Sequence, residues 1–201
     1  MEAPEATTGH ANAWLVALMA LLFFFYVGTE VGFGGWVSSY ALATKMFNPA
    51  EAAYLASAFY GAFTVARLAA IPIASRVRPR YVLLVDLLGM LASFGLIVAL
   101  PQSRTALWAG TLGAGLFMAS VFPTNINLAS RRLTLTGRLT GLFFSVGSLG
   151  SMTLPLAIGP LLVEVGPRAA MSAFCLVVIA SLGVWAALMA HTARPAANQP
   201  A

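Results

Sequence analysis

Glu30 stands inside a long apolar run, in the segment Tyr26-Val27-Gly28-Thr29-Glu30-Val31-Gly32-Phe33-Gly34-Gly35-Trp36. A charged group at mid-bilayer costs about 2.5–3.5 kcal/mol to insert, so such a residue turns toward a cavity or a partner. Helical spacing gathers Tyr26, Phe33, Gly34 and Val37 around it on one face. A carboxylate, a phenolic hydroxyl and aromatic rings suit a small polar solute or a coupling proton. The structural alternative is a protonated acid bonded to a neighbouring helix. Trp36 is either an interfacial anchor or a ring that closes over a solute. Gly32, Gly34 and Gly35 would let the outer end of this helix bend as a gate, although close helix packing is the simpler reading for most of them.

Two further charges lie within apolar surroundings. Arg67 sits about 10 Å and Asp86 about 8 Å from the same membrane face by helical rise, on spans joined by a short turn. Level matching predicts an ion pair between them, holding a gate region on that face. Asn125 and Asn127 follow Pro123, where they would hydrogen-bond a solute or cap the helix end. No HExxH is present, and the histidines, His10 and His191, lie outside the apolar runs, so a metal centre is not expected. Gly147-Ser148-Leu149-Gly150 does not fit GxSxG and has no evident base. No catalytic residue is assigned, and the expectation is that the chain is not an enzyme.

The elements that must position these residues follow from composition. The chain has 201 residues, 60% hydrophobic and 8% charged. A water-soluble domain carries roughly 25% charged residues, so there is too little charge to clothe a wet surface. Apolar spans run over 14–38, 52–74, 81–100, 105–128, 139–163 and 169–190. Each meets the roughly 20 residues needed to cross the hydrocarbon, and in lipid such spans must be helices. The expected fold is an all-α membrane protein of six transmembrane helices, 14–190. Residues 1–13 are expected to form a polar, disordered cytoplasmic N-terminal segment, and 191–201 a cytoplasmic tail.

The net charge of +5 is a topology signal and not a nucleic-acid footprint. Arg76, Arg78, Arg80, Arg131, Arg132, Arg138 and Arg194 fall on one face, against Lys45, Arg104 and Arg168 on the other. The positive-inside rule then puts the even loops and both termini in the cytoplasm, in a cell membrane. Cys175, the one cysteine, excludes an intrachain disulfide. Pro123 and Pro155 are expected to kink spans four and five. A faint likeness between Val27-Gly28-Thr29 and Ala109-Gly110-Thr111 fits an inverted three-plus-three repeat.

The Tyr26–Trp36 segment resembles the seventh helix of the fucose permease and sodium-dependent glucose transporter-like branch of the major facilitator superfamily. Tyr54-Leu55-Ala56-Ser57 through Ala66-Arg67-Leu68 resembles its eighth, with Ala66-Arg67 in place of the usual Gly-Arg. Met118-Ala119-Ser120-Val121-Phe122-Pro123-Thr124 resembles its tenth, and Gly147-Ser148-Leu149-Gly150 through Pro155 its eleventh. The Arg76–Arg80 loop is basic, as in the family, but lacks a clear form of its acidic-glycine motif.

The resemblance implies the C-terminal half of a twelve-helix fold, working by alternating access with an N-terminal six-helix half or with a second copy. The expected function is secondary active transport of a small polar solute, a sugar, coupled to H+ or Na+ and needing no cofactor. Glu30, Tyr26, Trp36, Asn125 and Asn127 would serve substrate or ion. The rival readings are a transport-incompetent truncated half and a membrane module that binds partners through small-residue faces.

Overall fold

The computed structural model describes residues 13–193, without the side chains of 73–75 and 193. Prolines, glycines and polar caps cut the apolar chain into helices. They are α1 (Ala13–Ala43), α2 (Pro49–Arg76), α3 (Pro79–Ala99), α4 (Arg104–Met118), α5 (Val121–Ser130), α6 (Gly137–Pro160) and α7 (Pro167–Ala193), with a π turn (Leu161–Val165) after α6. Six units are long and apolar enough to cross a membrane, α4 with α5 making one and α6 with the π turn another. No strand occurs among the described residues. The architecture is the expected all-α bundle of six spans. The segment before Ala13 and the tail beyond Ala193 lie outside the described residues.

Helix starts are encoded locally. Pro49, Pro79 and Pro167 each open a helix, where a missing N–H costs nothing. Asn48 and Glu51 cap α2 reciprocally. The Glu51 N–H donates to Asn48 Oδ1 at 2.9 Å, and the Asn48 N–H donates to the Glu51 carboxylate at 3.1 Å. Glu51 also pairs with Arg104 at the start of α4, whose guanidinium stacks on Phe47 at 4.8 Å. This exposed pair ties two helix starts together on the odd-loop face, where water screens it.

The expected proline kinks take two forms. Span four does not bend as one helix but divides at Ala119–Ser120, ahead of Pro123. Both residues keep right-handed helical dihedrals, so the division is a wedge and not a loop. Span five runs through Pro155 and relaxes after Pro160 into the π turn, which Gly166 closes by donating its N–H to Leu161 O at 2.9 Å. Gly166 then turns the chain at φ 120°, a conformation that glycine adopts without strain.

Packing organises the spans around α1, which lies along α6 and also touches α7, α2 and α5, while α4 packs against α3 and α2. Two aromatic clusters fill the interior. Phe33 of α1 meets Phe59, Phe94 and Phe174 of α2, α3 and α7 at centroid distances of 5.3, 5.0 and 5.9 Å. Phe23 of α1 meets Phe122 and Phe143, each at 5.3 Å. Lipid supplies no hydrophobic drive for helices to associate, so contact must come from close approach of backbones. Gly28 and Gly150 provide it where α1 crosses α6. A Cβ on Gly28 would sit 2.6 Å from Gly150 O, and one on Gly150 would collide with the Phe24 carbonyl.

Gly150→Ala must therefore push α1 and α6 apart, at about 1–3 kcal/mol for an overpacked contact. Gly141→Ala, where nothing lies within 4 Å, should be neutral or slightly stabilising. Thermal unfolding of both variants in detergent checks this, and equal melting temperatures would refute the crossing.

Candidate functional site

The site region is built on a backbone defect. Residue 123 would ordinarily donate its N–H to the carbonyl of residue 119, but proline has none to give. Arg67 of α2 supplies the missing donor, its Nε bonding Ala119 O at 3.2 Å while the guanidinium rests on the Phe63 ring at 4.4 Å. Next to it, Ser120 Oγ donates to Asp86 Oδ2 of α3 at 2.6 Å. Asp86 is only 5% exposed, so this bond gives a buried carboxyl its partner.

These bonds correct the predicted Arg67–Asp86 ion pair, which does not form among the described residues. The two side chains do reach one place, the Ala119–Ser120 wedge, one from α2 and one from α3. The guanidinium goes to the carbonyl that Pro123 orphans, and the carboxyl is satisfied by the adjacent hydroxyl. Beside the wedge, Arg67, Ser120, Phe122, Pro123, Thr124 and Asn127 help line a recess of about 430 Å³.

Glu30 lies half-buried on α1 and does not line that recess. Among the described residues it makes no ion pair. The buried Tyr26 hydroxyl interacts with the Glu30 carboxyl, yet no closed hydrogen bond joins them. Arg67 and Tyr60 of α2 both stand within electrostatic reach of Glu30. Tyr60 was absent from the residues that spacing around Glu30 selected. The spacing Tyr60, Thr64, Arg67 along one face of α2 is the signal that could have found it. Tyr60 also presses on α1, where a Cβ on Gly34 would collide with its hydroxyl.

The remaining candidates separate. Asn125 is buried, 4% exposed, and its Nδ2 has no partner. Asn127 instead holds the end of α5, its Oδ1 accepting from Arg131 Nε at 3.1 Å. Trp36 packs toward α6, where a Cβ on Gly159 would lie 2.6 Å from its ring. Phe33, grouped with Glu30 by helical spacing, is fully buried in the aromatic core. Helix α1 is uninterrupted through Gly32, Gly34 and Gly35. Gly32 abuts Phe174, Gly34 abuts Phe59 and Tyr60, and Gly35 meets nothing within 4 Å. Close packing thus accounts for two of the three.

Chemically, the region around Glu30 joins a carboxyl, two phenols and a guanidinium. Tyr26 Oη and Asn125 Nδ2 are donors buried without protein acceptors. A buried donor left unsatisfied costs about 1–3 kcal/mol, so such groups ask for a solute, an ion or water.

No family model matches the chain. Over 146 residues it is 37% identical to sodium-dependent glucose transporter 1A of Mus musculus, covering 72% of this chain and 34% of that protein. It is 35% identical over 145 residues to sodium-dependent glucose transporter 1 of Homo sapiens, covering 72% and 28%. It is 33% identical over 143 residues to major facilitator superfamily domain-containing protein 4A of Danio rerio, covering 71% and 27%. The chain belongs to the major facilitator superfamily. It spans about a third of the length of the curated relatives it matches. Its six membrane-spanning units make half of a major facilitator fold, and the Pro123 wedge is a broken helix within that half.

If Arg67 answers Pro123, the two must be coupled. Arg67→Met should destabilise the chain by about 1–3 kcal/mol by orphaning the Ala119 carbonyl. In a Pro123→Ala background, residue 123 regains its N–H and the same substitution should cost much less. A double-mutant cycle on thermal or denaturant unfolding reads the difference. Additive effects would show that Arg67 serves some other purpose.

Proposed function

We propose that the chain is the C-terminal half of a secondary active transporter. It moves a small polar solute, a sugar, by alternating access with proton or sodium coupling. The observation that carries this reading is the half-buried Glu30, which makes no ion pair among the described residues and has the buried Tyr26 hydroxyl near it on α1. A carboxyl without a fixed counter-ion can bind a proton or Na+ and release it again, and a sugar hydroxyl can accept from Tyr26 and Asn125 in turn. The names of the relatives, sodium-dependent glucose transporters, support the sugar and the sodium.

In this reading Glu30 is the coupling carboxyl, with Tyr26, Tyr60 and Asn125 as hydrogen-bonding contacts. Trp36 and Asn127 stand at the periphery of the path. Arg67 and Asp86 hold the wedge that must survive each cycle, and Gly35, free of neighbours, is the position in the glycine run with room to bend. A second six-helix body, an N-terminal half or another copy, completes the path. Both termini then lie in the cytoplasm, as the arginine bias directs.

Uptake of labelled glucose under imposed sodium or proton gradients, by cells making the chain together with its other half, tests the proposal. Glu30→Gln should abolish gradient-driven accumulation while the protein reaches the membrane in normal amount. Accumulation at the unsubstituted level would remove Glu30 from coupling. Failure of the unsubstituted protein to accumulate any sugar would favour the non-transport readings.

A further inference from the structure

A second polar concavity lies far from Glu30, at the ends of the helices on the even-loop face. Its volume is about 490 Å³, and it is lined by residues from the start of α3, the end of α5 and the last turns of α7. Four arginines converge on it: Arg78, Arg80, Arg131 and Arg132. None of the described acids, Glu30, Glu51, Asp86 or Glu164, is part of the lining.

Two of the guanidiniums are held in place by neighbours. Arg80 stacks on the Tyr81 ring at 4.6 Å and donates to its hydroxyl at 2.9 Å. Arg131 donates through Nε to Asn127 Oδ1 at 3.1 Å. Both keep further N–H donors for a ligand. Arg78 is the N-cap of α3, a 21-residue helix whose end carries no side-chain cap, so the positive end of its dipole adds to the arginines. The rest of the lining is amphipathic. Leu128, Met189 and Trp185 supply apolar surface, and the Trp185 indole N–H is buried without an acceptor.

Topology alone asks for basic loops on this face, not for four arginines around one recess. A cationic cup backed by an apolar wall, at the level where membrane helices give way to loops, matches a phosphate ester with acyl chains attached. We propose that this recess binds the phosphate headgroup of an anionic phospholipid, which bridges the ends of α3, α5 and α7. Free inorganic phosphate shares the anionic chemistry but has nothing to set against Leu128 and Met189.

Native mass spectrometry of the detergent-solubilised full chain, titrated separately with phosphatidylglycerol, phosphatidylcholine and inorganic phosphate, tests the site. Phosphatidylglycerol should be retained at one per chain in preference to phosphatidylcholine. Each basic residue near a charged headgroup contributes enough that a single Arg78→Gln or Arg131→Gln, which leaves the loops basic, should weaken retention about fivefold. The triple variant Arg78→Gln/Arg131→Gln/Arg132→Gln should weaken it about a hundredfold. Arg104→Gln, on the opposite face, should change nothing. Equal retention of the two lipids, or undiminished phosphatidylglycerol binding by both single variants, would overturn the proposal. Saturation by inorganic phosphate with no preference between the lipids would assign the recess to a free anion and overturn it as well.

Discussion

One missing hydrogen-bond donor organises the middle of this protein. Proline at position 123 strips the Ala119 carbonyl of its helical partner in a solvent that offers no replacement. The chain answers with a side chain from another span, and Arg67 closes the account at 3.2 Å. Ser120 then binds Asp86, so the wedge between α4 and α5 is attached to both α2 and α3. A buried carbonyl left unpaired costs about 1–3 kcal/mol, which makes this arrangement an obligation of the backbone and not an ornament of the site. It also explains why two opposite charges at one depth do not pair with each other.

The same bonds shape the electrostatics around Glu30. Arg67 is committed through Nε to a backbone carbonyl, so it acts on Glu30 at a distance without neutralising it in a closed pair. Tyr26 and Tyr60 lend polar character without a fixed bond to the acid. A carboxyl so placed has neighbours but no permanent counter-ion. That distinguishes it from Asp86, whose hydroxyl partner sits at 2.6 Å.

Much of the fold was legible in the residues because lipid simplifies the problem. A run of some twenty apolar residues can only be a helix, and Asn48-Pro49, Pro79 and Pro167 mark where helices begin. The superfamily was legible from its ordered motifs. What the one-dimensional pattern hides is direction. Spacing places Phe33 beside Glu30, yet its ring turns into the aromatic core, because the apolar face of a span is chosen by its neighbours and not by water. Depth arithmetic brought Arg67 and Asp86 to one level but could not weigh a guanidinium's choice between a carboxylate and an orphaned carbonyl. Counting four residues back from Pro123 would have exposed that carbonyl. Tyr60 is on a different helix from Glu30, so spacing along α1 could not select it and only the packing of α2 on α1 brings it near.

The wide turn at Leu161–Val165 has a different consequence. A π turn accommodates one residue more than the α-helix that could replace it. Here Gly166 closes it, immediately before Pro167 starts the last helix. Removing a single residue lets the backbone tighten to ordinary helical pitch while the spans on either side keep their rotational setting. The bend is thus a place where the chain can lose a residue without re-aiming the helices that flank it.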